Sequence, residues 1–105
     1  MSLPVRFALE ASRELEDATR WYENRHVGLG LAFLASADAA TEGLTRAPRI
    51  GAPIEGLPED LDVRRIPVSR FPYHLAYLIT ADLLHVLAVA HDRRRPTYWS
   101  GRVDP

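Results

Sequence analysis

The periodicity of the apolar residues changes once along this chain, and that change constrains the fold more than any other feature. Ahead of Pro48 the apolar residues recur at helical spacing, first Ala11, Leu15, Ala18 and Tyr22, then Phe33, Ala37, Ala40 and Leu44. From Leu61 onward they form three short strand-like runs. Residues Pro48 to Asp60 (PRIGAPIEGLPED) separate the two regimes. Their three prolines and two glycines predict an ordered loop or a flexible crossing, without regular structure.

The elements follow from this division. Pro4 to Leu9 (PVRFAL) alternates roughly and predicts a first strand, with proline tolerable at its start. Glu10 to Arg25 predicts a helix. Trp21 widens its apolar stripe, and Glu10, Glu14 and Asp17 lie near its start, where the helix dipole favours acids. Asn24 to Gly30 is a connector, loosened by Gly28 and Gly30. A second helix runs from Leu29 to Ala47, ended by Pro48, which disfavours helix at the residue before it. Two amphipathic helices on a short loop make an antiparallel hairpin.

The strand-like runs are Leu61–Val68, Tyr73–Thr80 and Leu83–His91. Arg70-Phe71-Pro72 joins the first two, and Ala81-Asp82 is a gap short enough for a tight hairpin. On strict alternation Leu84, Val86, Ala88 and Ala90 share one face of the last run. Leu83, His85, Leu87, Val89 and His91 share the other. Both faces are largely apolar, so this strand is expected to be central or covered on each side. The expected fold is α+β, in the order β-α-α-β-β-β. A helical hairpin packs on a small, mostly antiparallel sheet, as one domain over residues 1–105.

Composition narrows the chemistry. All 13 basic residues are arginine, so lysine cannot serve as acid or base, and arginine mainly binds anions. Without cysteine there is no disulfide framework and no thiolate chemistry. Four histidines without cysteine or tight spacing predict no metal site, and no cofactor is expected. Gly28-Leu29-Gly30 is too short for a phosphate loop, and no strand leads into it. No stretch suits a signal peptide, and none approaches the ~20 apolar residues of a membrane span. The chain reads as soluble and cytoplasmic, with no membrane partner.

The net charge of −1 hides an asymmetry. Residues 1–62 hold eleven acids and six arginines, whereas residues 63–105 hold three acids and seven arginines. The basic half suggests an anionic partner, either nucleic acid or an acidic peptide. Arg64, Arg65 and Arg70 lie on or beside the first run and His74 opens the second. His91, Arg93, Arg94, Arg95 and Tyr98 close the third. Antiparallel pairing could gather them on one face, where arginine grips phosphate and histidine exchanges protons. His85 reads as a hydrogen-bonded core or interface residue. Trp99 reads as a tail anchor or a base-stacking residue.

The ordered series ELEDATRWYE, GLGLAFL, VRRIPVSRFPYHLAYLI and LHVLAVAHDRRRPTYW resembles the RelE/ParE superfamily, over roughly Val5 to Arg102. What the resemblance implies is the toxin of a type II toxin–antitoxin system, which arrests growth unless its antitoxin is bound. ParE-like members poison DNA gyrase, whereas RelE-like members cut mRNA on the ribosome without a metal. The gyrase reading needs only a binding surface. The nuclease reading would use His74, His91, Arg93, Arg94 and Tyr98 as its catalytic set. This chain departs from the nucleases in having Arg65 and Pro67 where they carry lysines, and His74 where they carry arginine. Arg64, Arg65, Arg70 and Trp99 are the expected contacts to antitoxin or target, and a toxin–antitoxin heterotetramer is the implied assembly. A general nucleic-acid-binding module built on the basic half is the alternative from another class.

Overall fold

The computed structural model describes residues 3–103. The polypeptide enters through β1 (Val5–Phe7) and passes into α1 (Leu9–Arg25) and α2 (Leu29–Arg46). A 3₁₀ turn (Pro48–Ile50) leads to β2 (Ala52–Pro53), then β3 (Asp62–Pro67), β4 (Tyr73–Ile79) and β5 (Leu84–His91), with a last 3₁₀ turn at Ser100–Arg102. The strands form one sheet in the order β1-β5-β4-β3-β2. β2 to β5 pair antiparallel with one another, and β1 runs parallel to β5. The α+β class and the β-α-α-β-β-β order therefore stand, with one short strand added. Among the described residues no helix is long and apolar enough to cross a membrane.

The helical hairpin forms where the apolar spacing predicts it. Ala11 and Ala18 of α1 and Phe33, Ala37 and Leu44 of α2 are buried. Tyr22, Phe33, Phe71 and Tyr73 build an aromatic cluster between helices and sheet, with ring centroids 4.9 to 6.1 Å apart. The helices touch closely at Gly30, where a Cβ would lie 2.6 Å from the Thr19 carbonyl. A longer-range device caps α2. The Glu23 carboxylate of α1 accepts hydrogen bonds from the Gly28 and Gly30 amides at 3.0 to 3.1 Å. It thereby satisfies donors that a helix start leaves free.

The segment after Pro48 is ordered and, contrary to the expectation of no regular structure over Pro48–Asp60, holds a 3₁₀ turn and the short strand β2. The buried Tyr77 hydroxyl donates to the Pro48 carbonyl at 2.7 Å and accepts from the Gly51 amide at 3.0 Å. These bonds turn the chain so that Ala52 and Pro53 pair with Arg65 and Arg64. An edge strand tolerates Pro53, since its missing N–H faces no neighbour.

The sheet carries a core on each face. Leu75 and Tyr77 of β4 and Leu84, Val86 and Val89 of β5 pack under the helices. Val63, Ala76, Leu78, Leu87, Ala88 and Ala90 pack on the outer face, covered by Trp99 from the C-terminal tail. β5 is thus interior and covered on both sides, as its sequence suggested, but its alternation is not strict. Tyr77 pairs with Val86 while Ala76 pairs with Ala88, so Leu87 is an extra residue in the ladder. A bulge of this kind reverses the facing of every later residue. Ala88 and Ala90 consequently join Leu87 on the outer face, and Val89 joins Leu84 and Val86 on the helix side.

Candidate functional site

β1 ends at Phe7, while β5 continues to His91, so on the β1 side the far half of β5 has no strand beside it. Side chains complete that edge. The Val89 amide donates to the Glu14 carboxylate at 3.0 Å, and the Arg102 guanidinium donates to the Leu87 carbonyl at 3.0 Å. Arg102 also donates to both Glu14 oxygens, at 2.9 and 3.2 Å. Tyr98 donates its hydroxyl to Glu14 at 2.6 Å. The C-terminal tail is in this way tied round the open edge of β5, with Trp99 sealed into the outer core at 2% exposure.

Beyond this edge lie the charged residues that the sequence singled out. The structure separates Arg64 from Arg65, because neighbours on a strand face opposite ways. Arg64 lies on the helix side and donates to Asp62 at 2.9 Å and to the Arg49 and Gly51 carbonyls at 3.0 and 2.9 Å. It braces the turn into β2 and does not join the others. Arg65 lies on the outer face, 3.5 Å from His74 Nδ1 and 4.0 Å from Asp92. His74 Nδ1 is itself 2.9 Å from Asp92. His91 Nδ1 accepts the Arg93 amide at 3.0 Å, and its ring meets Tyr73 edge-on.

Arg94 stacks over the Tyr98 ring at 3.7 Å and lies 3.9 Å from Glu14. Arg70, Arg93 and Arg95 are exposed and, among the described residues, make no ion pair or side-chain hydrogen bond. Arg70 occupies the left-handed region at φ 75, in the turn from β3 to β4. A cleft of ≈ 350 Å³ opens on the outer face, with Arg65, His74, Asp92, Arg95 and Trp99 among its walls. A second, of ≈ 570 Å³, lies on the helix side between Trp21, Tyr22, Tyr73, Pro72 and His91.

The electrostatics bear on proton transfer. Burial raises the Tyr98 phenol above its usual value, and the hydrogen bond to Glu14 with that group's charge raises it further, outweighing Arg94 and Arg102. Burial likewise raises Tyr73 and Tyr77. Three residues that organise this region, Glu14, Asp92 and Arg102, were not singled out from the sequence. Glu14 looked like one more acid on the polar side of α1. Its partners lie more than seventy residues away, and no local pattern records such a pairing.

The model of the family described as ParE toxin of type II toxin–antitoxin system, parDE, matches residues 5–96. The chain belongs to the ParE toxin family. The match runs from the first residue of β1 to just beyond the arginine triplet. As a ParE-family member the chain is the toxin component of a type II toxin–antitoxin system, as its resemblance to the RelE/ParE superfamily implied. Among solved structures it is similar to a chain of the "Chromosomal ParDE TA system from P. aeruginosa", with 15% identity and a TM-score of 0.69. That likeness covers 86% of this chain and 96% of the other, and at such identity it is a likeness of fold. No curated protein matches the sequence.

Proposed function

We propose that this ParE-family chain arrests growth by binding DNA gyrase, and that it does so without cutting a nucleic acid. The observation that supports this is the commitment of Tyr98. RNA cleavage needs a base for the 2′-hydroxyl and an acid for the leaving oxygen, both poised at one phosphate. The Tyr98 hydroxyl instead donates to Glu14 at 2.6 Å, and its acidity is further weakened by burial. A phenol so held serves the fold.

One observation favours the nuclease reading. His74 is oriented by Asp92 at 2.9 Å, the kind of pairing that positions a histidine base. In that reading His74, His91, Arg93 and Arg94 would act together. Inducing the chain alone in bacteria that carry a DNA-damage reporter separates the two. Growth arrest with a rising signal, and gyrase-linked DNA breaks with purified enzyme, is expected. Arrest without the signal, accompanied by cut mRNA, would overturn the gyrase reading.

The neutralising partner is a cognate antitoxin. Its acidic segment, ordered on binding, would lie along the outer face and meet Arg65, which is half exposed. A heterotetramer of two toxins and two antitoxins is the assembly to seek by light scattering.

A further inference from the structure

We propose that the arginine-rich end of the sheet docks the phosphate backbone of duplex DNA, held through Arg70, Arg93 and Arg95. The inference goes beyond the gyrase reading and stands or falls independently of it.

Position is the first argument. The Asp92 amide donates to the Pro72 carbonyl at 2.8 Å, which ties the β3–β4 turn to the loop after β5. Arg70 and Arg93 to Arg95 therefore share one end of the molecule. The register sends acids to the other end, where Asp62 pairs with Ile79 beside the turn that holds Asp82. The C-terminal arginines thus gather into a basic pole that attracts polyanions, although Glu14, Asp17 and Glu55 of the acidic half also lie near it.

Compensation is the second argument. Near this pole Asp92 is shared by Arg65 and His74, Glu14 is taken by Tyr98, Arg94 and Arg102, and Asp17 pairs with Arg20, which leaves Glu55, in the cleft wall with Arg95, as an acid there without an ion pair among the described residues. Arg70, Arg93 and Arg95 remain exposed and unpaired among the described residues. Arg70 moreover holds a left-handed backbone, a conformation costly for a residue with a side chain.

The third argument selects the ligand. Single strands are gripped by stacking bases on open aromatic faces. Here Arg25 covers Trp21 at 4.2 Å and Arg94 covers Tyr98 at 3.7 Å, so those platforms are occupied. An acidic peptide gains its hold from a groove or a sheet edge. Arg95 lines the cleft that contains Arg65, but Arg70 and Arg93 stand on exposed turns outside it, so two of the three guanidiniums lie beyond the reach of a peptide seated in that groove. What remains suits phosphate oxygens, which guanidinium groups bind in pairs without reading sequence.

The test is fluorescence anisotropy of the full chain with a labelled duplex, a single strand of equal length, and a Glu-rich peptide, each over a salt series. The duplex is expected to bind best, with log K falling on log salt at a slope of roughly −2 to −3 for three phosphate contacts. The R70Q/R93Q/R95Q variant should keep its circular dichroism and Tm, bind duplex at least ~10-fold more weakly at low salt and lose most of that slope. The R93Q/R95Q pair, which leaves the turn at Arg70 untouched, should show a smaller loss of the same kind. No duplex binding at low salt, tighter binding of the single strand, or unchanged affinity in the variants would overturn the proposal. Binding of the peptide in place of duplex through the same arginines would overturn it too, and would give the pole to an acidic protein partner.

Discussion

Tyr98 donates its hydroxyl to Glu14 at 2.6 Å across 84 positions of sequence, and this bond joins the last turn of the chain to the first helix. The same carboxylate receives Arg102 and the Val89 amide, so it replaces a missing strand at the edge of β5. Removing it would leave one phenol and one backbone donor without their acceptor and Arg102 with only the Leu87 carbonyl, all partly shielded from water. Glu14→Ala should therefore cost about 2–4 kcal/mol in urea unfolding, well above the cost of a surface acid. A loss under ~0.5 kcal/mol would show that water satisfies the edge equally well.

Alkaline pH should expose the same bond. The folded-state pKa of Tyr98 lies above its usual 10.0, so the folded form holds the proton more tightly than the unfolded chain. The resulting stability is fully present below pH 10.0 and is lost as pH rises from there toward the folded value. Melting temperature against pH should fall above that point. Tyr98→Phe should flatten part of the fall; Tyr22, Tyr73 and Tyr77, also raised, carry the rest.

Gly51 should tolerate no side chain. A Cβ there would strike the Tyr77 hydroxyl and sit 2.7 Å from the Arg65 carbonyl, a backbone atom that cannot swing aside. Gly51→Ala is expected to cost about 2–3 kcal/mol and to loosen β2, read by amide exchange at Ala52 and Ile54. Tyr77→Phe should cost about 1–3 kcal/mol by leaving the Gly51 amide and the Pro48 carbonyl unpaired.

Glu23 should behave as a cap borrowed from the neighbouring helix. Glu23→Ala leaves the Gly28 and Gly30 amides without their acceptor and should lower stability by about 1–2 kcal/mol. Gln at the same position keeps an acceptor oxygen and should recover part of it. Equal losses for both substitutions would place the effect in the charge of Glu23 instead of its hydrogen bonds.

The functional proposal has its own genetic test. If the chain acts by binding gyrase, His74→Gln and His91→Gln should each leave growth arrest nearly intact. An acid or base in cleavage contributes about 10²- to 10⁴-fold, so collapse of toxicity with full retention of fold would sink the binding reading.

How much of this was legible beforehand differs by length scale. Helix positions, the meander of three strands and the interior place of β5 were readable, because amphipathic spacing and chain punctuation are local properties of the backbone. The helix ends fell within a residue of expectation, at Arg25 and Arg46, since Pro48 acts on its immediate neighbour. The candidate site was legible as a list of residue types but not as a set. Adjacent Arg64 and Arg65 looked alike in sequence, and the sheet sent them to opposite faces.

The sequence by itself determined the class of fold, the family and the excess of arginine toward the C-terminus. Tertiary structure alone decided the bulge at Leu87, the ordering of Pro48–Pro53 around Tyr77, and the capture of Tyr98 and Arg102 by Glu14. The reason is physical. Periodicity is set by neighbours a few residues apart. A partly buried carboxylate, a bulged ladder and a side chain that completes a strand edge are chosen by whichever distant groups the fold leaves unsatisfied.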